Sequence, residues 1–317
     1  MEISAYSPFR SEAARDSCFS YLDSLAARQW PVAPEERMVS TAYGPTFVRI
    51  SGPVGAPPVV LLHGAAATSL MWAPNIKALS NEHRAFAVDQ IGEFGKSLCT
   101  KPVTSLSDLL AWLDELLDAL KLRAGVSLVG ISYGGALAAH YALRFPWRLD
   151  KVVLLAPANT VLRLRARFWA RVILAMIFKQ RGLVSFLRWV LAEIEQNDPK
   201  WMDTIIEQTF LNMRSLQPHR PVVPPVLTDA EWRRFTAPAL FLMGDRDVIC
   251  SAKKAVRRLH RVAPQVTAEI VSGAGHDFTT AHAAAINRRI LEFLGPGKIS
   301  SSPRDDGVQG FGDPAGG

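Results

Sequence analysis

The residues of this chain best suited to chemistry begin with Ser132, in the segment G-I-S-Y-G at residues 130–134. An apolar run at 126–129 precedes this segment, and a small-residue helical pattern follows it. This order predicts a strand, a sharp turn and a helix, with glycines where strand and helix pass closely. Such a turn exposes the serine hydroxyl, and amide N–H groups at the helix start face the same point. Ser132 is therefore a candidate nucleophile.

Candidate partners for the serine follow later in the chain. A predicted strand at 238–243 ends in G-D-R-D, which supplies Asp245 and Asp247. The last predicted strand leads to His276 and Asp277. The order serine, acid, histidine is the one that accompanies a serine on this kind of turn. A histidine can take the proton of the serine hydroxyl, and an acid can orient that histidine.

A second loop is suited to binding a developing negative charge. The apolar strand at 59–62 ends in the small-residue loop H-G-A-A-A at 63–67, whose backbone can approach a substrate closely. A plain tight turn would have the same composition. Both readings stay open on the residues alone.

Strand and helix patterns alternate over most of the chain, and they must position these residues. Short alternating segments at 37–51 predict an antiparallel hairpin. Ser105 and Asp108 form a capping box for an amphipathic helix. Continuous apolar runs predict strands buried on both faces. The predicted fold class is therefore α/β, with a doubly wound, mostly parallel sheet whose carboxyl edge carries the candidate loops.

The alternation stops between residues 159 and 235, where helical patterns rich in Trp, Phe and Met predict an inserted helical cap. Its aromatic residues either line a pocket or form the cap's own core. The amphipathic stretch at 163–178 is also compatible with a lipid surface. The expected domains are an N-terminal helical extension at 1–33, a core at 34–158 and 236–295, the cap at 159–235, and a disordered tail at 296–317.

Composition and charge narrow the class of protein. The net charge is +7 and the pI is near 9.5, but the basic residues are spread along the chain. The basic run at 253–261 is typical of a solvated helix face, so we expect no nucleic-acid partner. Three separated cysteines and a charged N-terminus favour a cytoplasmic protein. The apolar run at 168–178 is interrupted by Arg171 and is too short to span a bilayer.

Together these motifs resemble the α/β-hydrolase superfamily, over residues 38 to 295. More narrowly, the segments at 30–32, 72–76, 87–92 and 154–158 resemble bacterial carboxylesterases active on esters of 2-arylpropionic acids. The loop at 65–67 departs from the wider family, because it is all alanine where many relatives carry larger residues or proline.

The resemblance implies catalytic roles. Ser132 would be the nucleophile, His276 the general base and then acid, and Asp247 the carboxylate that orients the histidine. Asp245 is the rival acid, because it follows the same strand. Asp277 is a weaker rival, and we expect it to cap a helix.

The resemblance also implies an oxyanion hole made of the backbone N–H groups of Ala65 and Tyr133. Ala66 is the alternative to Ala65.

The expected function is that of a carboxylesterase, which cleaves small-molecule esters through an acyl-enzyme intermediate without metal or organic cofactor. Lactonases, C–C bond hydrolases and cofactor-free perhydrolases use the same three residues, so they stay open as alternatives. A non-catalytic ligand-binding protein of this fold, or a nucleic-acid binder, would belong to a different class. We expect no stable membrane insertion. The sequence does not decide whether the protein forms a homo-oligomer.

Overall fold

The computed structural model describes residues 8–217 and 221–295. Within these ranges the strands form a single eight-stranded sheet, in the order β1-β2-β4-β3-β5-β6-β7-β8. The strands are β1 (Glu35–Thr41), β2 (Gly44–Ser51), β3 (Pro58–Leu62), β4 (Arg84–Val88), β5 (Val126–Ile131), β6 (Leu149–Leu155), β7 (Ala239–Gly244) and β8 (Val266–Val271).

Helices cover the sheet and fill the segment between β6 and β7. They are α1 (Glu12–Gln29), α2 (Ala73–Glu82), α3 (Leu106–Ala119), α4 (Tyr133–Arg144), α5 (Ala166–Ile177), α6 (Lys179–Val190), α7 (Ala192–Asn197), α8 (Pro199–Ser215), α9 (Asp229–Arg233), α10 (Ala252–Val262), α11 (Phe278–Ala281) and α12 (Ala283–Leu294). Short 3-10 turns lie at Ser69–Trp72 and Pro146–Arg148.

The sheet is mostly parallel, as the sequence predicts. Strands β4, β3, β5, β6, β7 and β8 pair in parallel, while β1 pairs with β2, and β2 with β4, in antiparallel fashion. Every residue of β5 and β7 is buried, because helices cover both faces of the sheet centre. The predicted fold class and the predicted hairpin are confirmed.

The capping box that begins α3 is also confirmed. The Ser105 hydroxyl accepts from the Asp108 N–H, and the Asp108 carboxylate accepts from the Ser105 N–H at 2.9 Å. The apolar stripe of α3 then packs into the core, where Trp112 and Leu116 are fully buried. This helix joins β4 to β5 and so brings the chain back to the strand that ends at the candidate serine.

The described parts of the segment between β6 and β7 hold helices α5 to α9, with irregular stretches at 156–165, 221–228 and 234–238. The segment leaves the sheet after residue 155 and returns at residue 239, and each residue of α5 and α6 keeps part of its surface exposed. The domain boundaries expected from the sequence stay a prediction. The expected disordered tail at 296–317 lies outside the described residues.

Candidate active site

Ser132 lies on the sharp turn between β5 and α4. Its backbone has φ 51° and ψ −111°, a left-handed conformation that L side chains rarely adopt. The turn is held on both sides, because the Ser132 N–H donates to Leu155 O at 2.9 Å and the Ser132 carbonyl accepts from Ala158 N–H at 3.0 Å. Backbone strain of this kind is kept where the surroundings enforce it, most often at functional sites.

The two glycines of this turn allow strand and helix to approach. A Cβ on Gly130 would lie 2.3 Å from the carbonyl oxygen of Gly134, and a Cβ on Gly134 would lie 2.2 Å from that of Leu62. Both distances are far below van der Waals contact. Glycine is therefore required at both positions if Ser132 is to lie at the start of α4.

His276 and Asp247 form a buried hydrogen-bonded pair. His276 Nδ1 lies 2.8 Å from Asp247 Oδ2, and both side chains are almost fully buried. The other carboxylate oxygen accepts from the N–H of Ile249 at 2.7 Å, which fixes the acid. The structure thus brings His276 to Asp247, whereas the rival Asp245 is exposed on the turn after β7.

The environment of His276 favours its protonated form. Burial by itself lowers the pKa of the imidazole, but the charge and hydrogen bond of Asp247 outweigh burial and raise the pKa above its usual value. Nδ1–H donating to a carboxylate leaves Nε2 as the basic nitrogen. A histidine in this arrangement can accept a proton and hold the resulting charge.

Asp277 makes a different contact from the one expected. It stands at the N-cap position of α11, but its carboxylate makes no capping bond there and instead accepts from the N–H of Ile194 in α7 at 2.8 Å. The expected N-cap position is confirmed, but the side-chain capping bond is not made, because the carboxylate instead satisfies a buried N–H of α7. Burial is the main cause of the raised pKa of Asp277.

The candidate oxyanion donors come from the loop after β3 and from the first residue of α4. The Ala66 N–H donates to Glu93 Oε2 at 2.8 Å, so it is already occupied. The Ala65 N–H has no acceptor within the described ranges, and the Tyr133 N–H stands at the first position of α4, where an intrahelical acceptor does not exist. Of the two alternatives in this loop, Ala65 is thus the one with a free donor.

Glu93 is a site residue that the sequence reasoning missed. Its carboxylate accepts a hydrogen bond from the N–H of Ala66, a residue 27 positions earlier in the chain. The backbone of Ala66 has a φ of 58°. The only local sign is an acid between glycines 92 and 95, and this does not reveal a contact so distant in sequence. The bond holds the loop in the conformation that leaves Ala65 N–H free.

These residues open on one cavity of about 450 Å³. Ser132, His276, Ala65 and Tyr133 line it, and Asp247 lies behind His276. No hydrogen bond joins the Ser132 hydroxyl to His276 among the described residues, and such contacts often tighten only when substrate binds.

The rest of the cavity wall is largely apolar, with Gln208 and Thr209 among its polar members, and much of it comes from the helices between β6 and β7. Phe168 of α5 meets Phe186 of α6 edge to face, with ring centroids 5.6 Å apart, and Ile205 of α8 adds to the wall. Burial, and next the Glu93 carboxylate, raise the pKa of the Tyr133 phenol, which therefore stays neutral. The cavity suits an uncharged, largely apolar ligand.

Two further features bear on function. The described part of the chain holds no group of three or more His, Cys, Asp or Glu side chains arranged to bind a metal ion. Among the helices at 8–217 and 221–295, none combines the length and apolarity that crossing a bilayer requires.

Known proteins are similar to this chain in sequence and in fold. Residues 59–289 match the alpha/beta hydrolase family. Carboxylesterase YbfK of Bacillus subtilis (strain 168) is 32% identical over 84% of this chain and 89% of its own length. The "uncharacterized carboxylesterase nap" of the same strain is 32% identical, over 87% of this chain and 91% of its own.

Solved structures show the same similarity to carboxylesterases. The naproxen esterase (carboxylesterase NP) from Bacillus subtilis superposes with a TM-score of 0.81 at 30% identity, covering 93% of this chain and all of that one. The expected resemblance to bacterial carboxylesterases is confirmed, and the relatives support the predicted enzyme class, a carboxylic ester hydrolase. Matched over most of its length in both sequence and structure, this chain belongs to the α/β-hydrolase family.

Proposed function

We propose that this protein is a carboxylesterase in which Ser132, His276 and Asp247 cleave esters through an acyl-enzyme intermediate. The observation that carries the proposal is the buried His276–Asp247 pair, 2.8 Å between Nδ1 and Oδ2, whose histidine lines the same cavity as the strained Ser132 turn. An acid that orients a histidine beside an exposed serine hydroxyl is the arrangement required for nucleophilic catalysis by serine. The family of the chain supports the same chemistry.

In the first half of the reaction, His276 Nε2 takes the proton of the Ser132 hydroxyl as Oγ attacks the ester carbonyl carbon. The carbonyl oxygen becomes an oxyanion, and the N–H groups of Ala65 and Tyr133 stabilise it, with the positive end of α4 behind them. The carbon–oxygen bond to the alcohol then breaks. The leaving oxygen takes the proton from His276, and the acyl group stays on Ser132.

In the second half, water replaces the alcohol. His276 removes a proton from the water as its oxygen attacks the acyl carbon, and the same two N–H groups hold the second oxyanion. The bond to Ser132 Oγ breaks, Oγ regains a proton from His276, and the carboxylic acid leaves. Asp247 stays ionised throughout and stabilises the charged imidazole.

The cavity wall favours esters with an apolar acyl or alcohol group. Phe168, Phe186 and Ile205 supply apolar surface, and Glu93 places a carboxylate at the loop side, which disfavours anionic substrates. A relative whose name is naproxen esterase supports an aromatic acid as one such group. We propose neutral esters of aromatic or medium-chain acids as the substrate class.

The test is hydrolysis of a p-nitrophenyl ester series of increasing acyl length by the wild type, Ser132→Ala and Ser127→Ala. Ser127 is the matched control, because it lies buried on the same strand and outside the cavity. We expect turnover by the wild type and the control, and a loss of at least about a thousandfold in Ser132→Ala. Activity of Ser132→Ala close to wild type would contradict the proposal. A wild type inert on all esters but active on lactones or β-diketones would assign the same residues to another reaction.

A further inference from the structure

Helix α5 exposes an apolar stripe that amphipathic helices normally bury. The stripe consists of Trp169 and of the residues four, seven and eight positions after it, which are Ile173, Met176 and Ile177. These spacings place all four side chains on one face of the helix. Their exposed fractions are 47%, 55%, 76% and 62%. A contiguous apolar surface of this kind marks a binding face rather than scattered exposure.

The stripe continues into the tip of the α5–α6 hairpin, defined as residues 176–181, which read M-I-F-K-Q-R. All six residues are exposed, and Phe178 projects with 61% of its surface accessible. Lys179 and Arg181 place positive charge directly beside the apolar side chains. Apolar and cationic residues side by side are suited to the boundary between lipid headgroups and acyl chains.

The surrounding segment carries charge of one sign. Residues 160–192 contain no Asp or Glu, and their seven basic residues are Arg163, Arg165, Arg167, Arg171, Lys179, Arg181 and Arg188. Among the described residues, Arg188 alone of the seven forms an ion pair, at 3.4 Å from Glu195. Arg165 and Arg171 donate hydrogen bonds to uncharged groups of the chain, so no acid neutralises the positive charge of the other six within the described residues.

We propose that the tip of the α5–α6 hairpin docks on the surface of an anionic lipid bilayer. The charge favours this occupant, because a second copy of the chain would bring one uncompensated positive segment against another. A bilayer with anionic headgroups complements the basic residues and receives Ile177 and Phe178 at its acyl boundary. Docking of this kind is peripheral and leaves the helices outside the hydrocarbon core.

Docking would bring the cavity to the lipid. Trp169 belongs both to the exposed stripe and to the cavity wall, and Leu183 and Phe186 continue that wall along α6. The stripe that docks thus belongs to a helix that also lines the candidate site. Docking would then hold the cavity that contains Ser132 close to a source of apolar esters, a consequence that rests on the proposed function.

The docking itself is measured without catalysis, by co-sedimentation of the full chain with vesicles. One set holds equal parts of phosphatidylglycerol and phosphatidylcholine, and the other phosphatidylcholine alone. We expect binding to the anionic vesicles, weakening as salt rises. The double variant Lys179→Gln/Arg181→Gln should bind roughly thirtyfold more weakly, and Ile177→Asn/Phe178→Asn at least about tenfold more weakly.

The matched control is Lys253→Gln/Lys254→Gln, which removes the same charge from exposed positions on α10. It should bind as the wild type does. Equal loss in the control would show general charge attraction, and absence of wild-type binding to anionic vesicles would overturn the proposal. A wild-type dimer in light scattering that Ile177→Asn/Phe178→Asn dissociates would assign the face to a second copy instead. None of the four substituted tip positions lines the cavity, so hydrolysis of a short soluble ester should stay unchanged and report correct folding.

Discussion

Helices α5 and α10 have nearly the same length and both carry basic residues, but the apolar face of α10 is buried and that of α5 is exposed. On α10, Val256, Leu259 and Val262 are buried and the helix packs beside β8, while its two lysines face solvent. On α5, Ile173 and Met176 are exposed. Periodicity therefore predicts which face of a helix is apolar, but the surrounding fold decides whether that face is covered.

The same contrast separates the two halves of the candidate site. Ser132 and Asp247 directly follow the buried strands β5 and β7, and His276, itself buried, follows the partly exposed edge strand β8. The apolar cavity wall comes from α5 and α6, whose residues all keep some exposure. We therefore expect changes near the sheet to alter rate and stability, and changes on these helices to alter substrate choice and surface binding.

The largest expected effect tests the sheet side. Asp247→Asn should lower kcat by about four orders of magnitude, because the amide no longer enforces the imidazole tautomer with Nε2 as base. Asp245→Asn is the matched control, since it removes a carboxylate two residues away that is exposed. The measurement is kcat on one p-nitrophenyl ester, compared among the three proteins. A greater loss in the Asp245 variant would reverse the assignment of the acid.

A stability measurement sharpens the comparison of the two helices directly. Leu259→Ala removes a fully buried side chain from α10 and should lower the free energy of unfolding by about 2–5 kcal/mol. Ile173→Ala removes a side chain of α5 that is 55% exposed and should change it by no more than about 0.5 kcal/mol. Denaturant unfolding of both variants gives the two values. A loss for Ile173→Ala as large as that for Leu259→Ala would show that α5 is covered in solution.

Asp277 joins the two regions, because its carboxylate accepts from the Ile194 N–H of α7. Asp277→Ala leaves that N–H buried without a partner, which should cost about 1–3 kcal/mol of unfolding free energy. Asp277→Asn keeps an oxygen that can accept the same bond and removes a buried charge, so it should stay within about 1 kcal/mol of wild type. Thermal and denaturant unfolding distinguish the two. Equal destabilisation by both variants would show that the charge, rather than the hydrogen bond, matters at this position.

The pH dependence gives the smallest effect. Asp247 raises the pKa of His276, and the base works only when neutral, so kcat/KM for an uncharged ester should fall as pH drops through that raised pKa. The midpoint of the acid limb should lie above 6.5, the ordinary value for histidine. A midpoint below this value would mean that burial outweighs the carboxylate. Initial rates at low substrate concentration from pH 5 to 9 provide the profile.

Much of this architecture is predictable from local patterns. The apolar runs, the hairpin and the capping box at Ser105 each depend on residues close together in sequence, and all are found where expected. The chain order of Ser132, Asp247 and His276 also limits how they can meet, because parallel strands end at one edge. The structure places His276 against Asp247 accordingly.

The unpredicted features depend on distant contacts. Glu93 reaches Ala66, and Asp277 reaches Ile194 across 83 positions, and neither pairing has a periodic or motif signal. The exposure of the α5 stripe depends on the absence of a covering element among the described residues. Such features require the folded arrangement, since a sequence pattern does not specify which groups face each other.

The most direct test of the account is the identity of the nucleophile. A fluorophosphonate reacts with an activated serine by forming an oxygen–phosphorus bond with loss of fluoride, and peptide mass mapping locates the adduct. We expect a single adduct, on Ser132, whose formation is greatly slowed in Asp247→Asn and unaffected in Asp245→Asn. Labelling of a different serine, or unchanged ester hydrolysis after Ser132 is fully modified, would contradict it.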